Sequence, residues 1–295
     1  MKISDIYQQK AHGRQPVLSF EIFPPKPDYP LDSVFETLGE LKDLKPDFIS
    51  VTYGAGGSSR ARTIEIASRV KHDYQLESQA HLTCVGHSPA ELDKIIDEIG
   101  SHDIENILAL RGDPPKNQPD YKPEPGYYRD SIDLVRHIRR KGGYCIGAAA
   151  YPEGHSQTAR WDRDWLRLRD KVAEGVDFLL TQMFFDNRVF YNFADNMLRL
   201  GVKIPVSPGI MPILNLGQIK RMINLSGASI PSKLLLMFDK FGNNSDDFEK
   251  AGIEYAINQI DDLLENGVAG IHLCTMNKVL QTRAIVENSK LRSHS

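Results

Sequence analysis

Asn106 to Pro115 reads NILALRGDPP. Ile107 to Leu110 form an unbroken apolar run, the composition of a strand buried on both faces. The run ends in Arg111, Gly112 and Asp113, and Pro114 and Pro115 lack the N–H groups that a continuing strand needs. A cation and a carboxylate at the mouth of a buried strand have two readings, an ion pair that closes a loop or part of a site. The segment alone leaves both open, and the other strand-like runs of the chain bear on the choice.

Upstream, Val17–Phe23, Asp47–Tyr53 and Gln79–Val85 read as strands; downstream, Tyr144–Tyr151, Asp177–Phe184, Lys203–Ile210 and Val268–Thr275 do. With Glu105–Gly112 these make eight, each followed by residues of helical period, such as Leu31, Val34, Phe35, Leu38, Leu41 and Leu44. Ser88-Pro89-Ala90-Glu91 is a helix start, with a capping serine, a proline in the first turn and an acid three residues on. Strict alternation of strand and helix predicts a parallel sheet, and eight units over this length predict a closed α/β (βα)8 TIM barrel. One domain is expected over residues 1–290, with 291–295 as a disordered tail. An open doubly wound sheet would carry a dinucleotide fingerprint, and Gly54-Ala55-Gly56-Gly57-Ser58-Ser59 has serine where the third glycine belongs. The segment Asn117–Tyr128, rich in proline and tyrosine, is long enough to read as a functional loop.

A net charge of −3 argues against nucleic acid and acidic membranes as partners. Three scattered cysteines, Cys84, Cys145 and Cys274, form no C-x-x-C pair, which gives neither a disulfide framework nor a zinc site; no metal is expected. No run approaches membrane-spanning length and the first residues lack an apolar signal core, so a cytoplasmic protein is expected. Cys84 and Cys145 read as core fillers, and His87, His102 and His137 as surface residues.

A (βα)8 barrel carries its site where the strands end. Those ends hold Glu21, Thr52, His81, Thr83, Arg111, Asp113, Tyr151, His155, Gln182, His272 and Thr275. Buried polar groups cost stability unless paired, so their recurrence at one rim reads as a site. Glu21 lies between Phe20 and Ile22. An apolar surround raises a carboxyl pKa towards that of a general acid, and pairing with Arg111 or Lys171 is the structural alternative. Asp113, beside Arg111, is expected to stay ionised, so that the two carboxyls hold opposite protonation states.

The motifs FEIFPPK (Phe20–Lys26), SVTYGAGG (Ser50–Gly57), HLTC (His81–Cys84), LALRGDPP (Leu108–Pro115), AAYPEGH (Ala149–His155), TQMFFD (Thr181–Asp186) and PGIMPI (Pro208–Ile213) together resemble the methylenetetrahydrofolate reductase family, in its bacterial form of a catalytic barrel alone. The resemblance implies FAD as cofactor and reduction of 5,10-methylenetetrahydrofolate to 5-methyltetrahydrofolate, with donor and folate taking turns at the flavin. It implies Glu21 as general acid at N10 and Asp113 as a second catalytic group near the flavin and the pterin. FAD-binding positions are matched by Thr52, Tyr53, His81, Arg111, Gly112, Asp113, Tyr151, His155, Asp164 and Lys171. Folate-binding positions are matched by Asp113, Gln182, Gln218 and Lys278.

Three positions depart from the family pattern. Lys278 stands for an arginine and gives a point charge where a planar fork would bind a carboxylate through two bonds. Met222 replaces a phenylalanine and Arg167 an asparagine. The electron donor stays open between NADH, NADPH and a partner electron-transfer subunit, and a homo-oligomer is expected. The rival reading is a flavin-free barrel lyase, which would need a Schiff-base lysine or a metal cluster at a strand end.

Overall fold

The computed structural model describes residues 1–26, 28–53, 60–113, 121–155, 158 and 160–294. In chain order the elements are α1 (Ile3–His12), β1 (Val17–Ile22), α2 (Asp32–Lys42), β2 (Phe48–Val51), α3 (Arg60–His72), β3 (Glu77–Thr83), α4 (Pro89–Ser101) and β4 (Asn106–Leu110). They continue with α5 (Ser131–Lys141), β5 (Cys145–Ala150), α6 (Trp161–Ala173), β6 (Phe178–Thr181), α7 (Asn187–Arg199), β7 (Val206–Ser207) and β8 (Gly209–Ile210). Last come α8 (Leu216–Ser226), α9 (Ser232–Phe241), α10 (Ser245–Glu265), β9 (Gly270–Cys274), α11 (Val279–Asn288) and a 3-10 helix, Lys290–His294. The order β7-β6-β5-β4-β3-β2-β1-β9-β8 is parallel at every pairing, which makes the expected (βα)8 barrel.

The stave expected over Lys203–Ile210 is interrupted. Pro208 separates β7, which pairs with β6, from β8, which pairs with β9. Proline cannot donate to a ladder. Gly209 N–H instead donates to the Thr181 hydroxyl at 2.9 Å, and Pro208 C=O accepts from His272 N–H at 3.0 Å. The expected tail is also corrected: Leu291 is buried and packs into the core, so the 3-10 helix is part of the fold. The Gly54–Gly57 turn and positions 117–120 of the long loop lie outside the described residues.

Period-two alternation sorts the strands into two faces. Leu18, Phe20 and Ile22 of β1 point outwards and pack with the helices in the main core. At the barrel's amino end Val17, Phe48, Leu108, Cys145 and Phe178 form an apolar floor, closed by Ile3, Ile6 and Tyr7 of α1. Asn106, fully buried, accepts from Ile3 N–H at 2.8 Å and donates to Ser78 C=O at 3.1 Å, which fixes α1 against the floor. Above the floor the interior turns polar, with Ser19, Ser50, Gln79, His81, Ser207 and His272 buried there.

Helix ends follow local chemistry. Ser88 and Glu91 form a reciprocal capping box at α4, Asp130 caps α5, and Gly227 ends α8 in the left-handed region. His137 is not a surface residue: it is buried, with Nδ1 2.6 Å from the Tyr128 hydroxyl and Nε2 3.0 Å from Asp93 Oδ1. Cys84 and Cys145 are buried as expected, and burial pushes their thiols up to about 12 and about 11.

Candidate active site

Strands β3 to β6 end around a cleft of about 500 Å³. Tyr53, Thr83, Arg111, Gly112, Asp113, Tyr151, His155, Asp164, Arg167, Lys171 and Gln182 all line it, so eleven of the residues singled out in the sequence come together. Ala109, Ala149 and Ala150 are among the lining residues, short side chains that leave room beside them. Gly112 has φ +87°, and a Cβ there would stand 2.8 Å from Thr83 Cβ. The turn that points Arg111 and Asp113 into the cleft therefore needs glycine.

The wall from α6 is charged. Asp164 accepts from His155 N–H at 2.9 Å, and the rings of His155 and Tyr151 meet edge to face at 4.8 Å. Lys171 Nζ reaches Ala149 C=O at 3.1 Å and the Ser131 hydroxyl at 3.4 Å. Burial lowers the Lys171 ammonium from 10.5 to about 8 against the opposing pull of Asp164 and Asp130. Burial likewise lowers His155, with the Arg111 charge adding to the effect. Burial raises Tyr53 to about 12, and its hydroxyl lies 3.3 Å from His87 Nε2. Thr52 is a backbone anchor: its N–H donates to Ile22 and its C=O accepts from the Thr63 hydroxyl.

Glu21 occupies the neighbouring sector of the rim. Its Oε2 stands 3.5 Å from His272 Nε2 and 3.8 Å from His81 Nε2, while Oε1 is 3.7 Å from the Cys274 thiol. These partners correct the sequence expectation of a raised carboxyl pKa. Burial does push Glu21 up, but the close approach of His272 and the positive charge that His81 and His272 can carry outweigh it and hold Glu21 below its ordinary value. Neither Arg111 nor Lys171 pairs with it among the described residues. Burial drives His81 down to about 4, and its Nε2 lies 2.7 Å from the Ser50 hydroxyl, which donates to Gln79 at 2.9 Å.

Gln218 and Lys278 do not line the cleft. Gln218 Oε1 accepts from Leu214 N–H at 3.3 Å, and Lys278 is exposed at the start of α11. Thr275 is structural, its hydroxyl donating to Glu21 C=O at 2.8 Å. Sequence reasoning gave Ser19 and Ser50 no role. The alternation that places Leu18, Phe20 and Ile22 outwards also places Ser19 beside Glu21 on the inner face, and that was the available signal. Among the described residues no group of His, Cys, Asp and Glu could hold a metal ion, and no helix is long and apolar enough to cross a membrane.

Fold and site define a TIM-barrel protein with a charged ligand cleft and a buried carboxyl–imidazole cluster on its carboxyl rim. The family model described as methylenetetrahydrofolate reductase matches residues 6–290, and the chain belongs to that family. It is 33% identical to the 5,10-methylenetetrahydrofolate reductase of Escherichia coli over 275 residues, covering 93% of this chain and 91% of that protein. It is 33% identical to methylenetetrahydrofolate reductase (NADH) 1 of Arabidopsis thaliana over 308 residues, 99% of this chain and 52% of that protein. The chain thus spans about half the length of the plant and fission-yeast relatives it matches. Among solved structures, a Clostridium thermocellum protein described as binding two copies of 5-methyl-5,6,7,8-tetrahydrofolic acid superposes with a TM-score of 0.65. It is 14% identical, with 98% of this chain and 99% of that one covered, and shows the shared fold.

Proposed function

We propose that this chain reduces 5,10-methylenetetrahydrofolate to 5-methyltetrahydrofolate with FAD in the cleft between β3 and β6. The observation that carries the reading is Lys171, a half-buried ammonium on the cleft wall whose two hydrogen-bond acceptors, Ala149 C=O and Ser131 Oγ, are both neutral. Such a group favours an anion, and a dinucleotide's pyrophosphate is one. The remaining lining fits the same ligand: Arg111 and His155 beside Lys171 for phosphate and ribose oxygens, the lining alanines and Tyr151 for a flat ring system. When bound, FAD supplies the hydride that turns the methylene carbon into a methyl group.

The protein's own part is to bind, orient and protonate. Glu21 donates a proton to N10, which breaks the bond between N10 and the bridging carbon and leaves an electrophilic iminium. Because the histidines hold Glu21 ionised in the free chain, its acid form requires a proton gained as substrate binds and water is displaced. Gln182, exposed on the cleft lining, offers an amide donor and acceptor to the pterin edge, and Asp113 offers a carboxylate. A bound FAD would take its electrons from NADH, NADPH or a partner subunit, and these remain alternatives for that half of the reaction alone.

The test is an anaerobic separation of the two halves in Glu21→Gln. Reduction of bound flavin by the donor is expected to persist, and reoxidation by folate to slow by about 10²–10⁴-fold, the usual worth of a placed general acid. If both halves fall together, Glu21 is structural and the mechanism is wrong. A chain that takes up no FAD would overturn the reading itself.

A further inference from the structure

Within the polar layer of the barrel, His272 is the residue whose surroundings the reaction as described leaves unexplained. Its Nδ1 lies 2.8 Å from the Ser19 hydroxyl, and that hydroxyl also reaches Ile271 C=O at 3.4 Å. Its Nε2 is buried and has no hydrogen-bond partner among the described residues; Glu21 Oε2 stands 3.5 Å away. His81 offers no such opening, since its Nε2 is already bound to Ser50 at 2.7 Å. A buried ring nitrogen facing a carboxylate oxygen of the half-buried Glu21, slightly beyond bonding distance, is satisfied only when a proton lies between them.

We propose that His272, oriented by Ser19, is the positioning residue that stores the proton Glu21 delivers. With Ser19 donating to Ile271 C=O, its oxygen accepts from Nδ1–H and leaves Nε2 directed at Glu21. Two states then share one set of heavy atoms. In the first, Nε2 carries the proton and Glu21 is a carboxylate; in the second, the proton sits on Oε2 and the imidazole is neutral. One proton moves and the other hydrogens keep their places. Passage of that proton from Oε2 to the substrate nitrogen leaves a carboxylate and a neutral imidazole, ready to take up one proton again.

The titratable groups that act on Glu21 are His272 and Cys274 on β9 and His81 on β3; its neighbour on β2, Ser50, does not titrate. Removing His272 takes away the neighbour that does most to favour the carboxylate, while burial remains. The protonated form of Glu21 then persists to higher pH.

The role of His272 rests on Glu21 acting as the acid, but its test does not need turnover. In the purified full chain, the protonated-carboxyl infrared band of Glu21 is isolated by subtracting Glu21→Gln, and its pH midpoint is compared with that in a His272→Gln background. Glutamine keeps a donor near Glu21 and stores no proton. The midpoint is expected to rise by at least about one pH unit, a tenfold gain in proton affinity. Ser19→Ala leaves Nδ1–H without its acceptor and is expected to move it the same way by less, so it carries the test should His272→Gln fail to fold. An unchanged midpoint in both variants overturns the role of His272. A shifted midpoint in a chain that reduces no folate would instead leave the proton store standing and overturn the proposed reaction.

Discussion

Replacing Lys171 with methionine keeps the length of the side chain and removes the ammonium from the cleft wall. The unfolded chain holds that proton up to the ordinary lysine value of 10.5, the folded chain only up to about 8. Between those values unfolding takes up a proton, so the Lys171 contribution to stability rises with pH through the window. Below about pH 8 the penalty for the buried charge is present in full. The gap sets an upper bound of about 3 kcal/mol, and solvent at the cleft mouth reduces it to about 1–2 kcal/mol. Lys171→Met is therefore expected to be more stable than the parent at pH 7 and to have lost most of that advantage by pH 10. Cys84 and Cys145, with thiols held up at about 12 and about 11, pull the other way above pH 9, so the informative quantity is the difference between the two proteins. Urea midpoints of the cofactor-free chains at pH 7, 8.5 and 10 give it directly. FAD retention is expected to fall as stability rises, because the anion that would neutralise Lys171 loses its partner. A variant less stable than the parent at pH 7, or a difference that does not shrink with pH, would refute the reading of Lys171 as an ammonium that burial penalises.

Gly112→Ala combines a left-handed φ with a Cβ 2.8 Å from Thr83, and is expected to cost about 2–4 kcal/mol in urea unfolding and to release FAD. Asn106→Leu leaves Ile3 N–H and Ser78 C=O buried without their partner. At about 1–3 kcal/mol per abandoned group it is expected to loosen α1, read as faster amide exchange over residues 3–12.

The rim was legible because its residues sit at chain positions where apolar runs stop: Arg111 and Asp113 after β4, Tyr151 after β5, Gln182 after β6. The electrostatics were not. Glu21 reads as a carboxyl among apolar neighbours because Phe20 and Ile22 flank it in sequence, yet both point into the outer core. The groups that face it, His81 and His272, are brought there by parallel pairing and barrel closure across 60 and 251 residues. Pro208 was visible as a break, but an apolar flank on each side carried the strand reading through it. His137 looked superficial on a charged helix, and its partners Tyr128 and Asp93 come from a loop and from α4.

The interruption at Pro208 makes this barrel a hoop with a clasp. Around the rest of the circumference, neighbouring staves are joined by main-chain ladders that resist stretching together. Between β6 and β8 the join is the single hydroxyl of Thr181 on Gly209 N–H, reinforced by the covalent chain itself. A change in girth is absorbed first where the fewest bonds must lengthen, which is here. Thr181 directly precedes Gln182, and Pro208 C=O holds the backbone of His272, so the clasp is fastened to one residue of the cleft and to one residue of the proton-bearing pair.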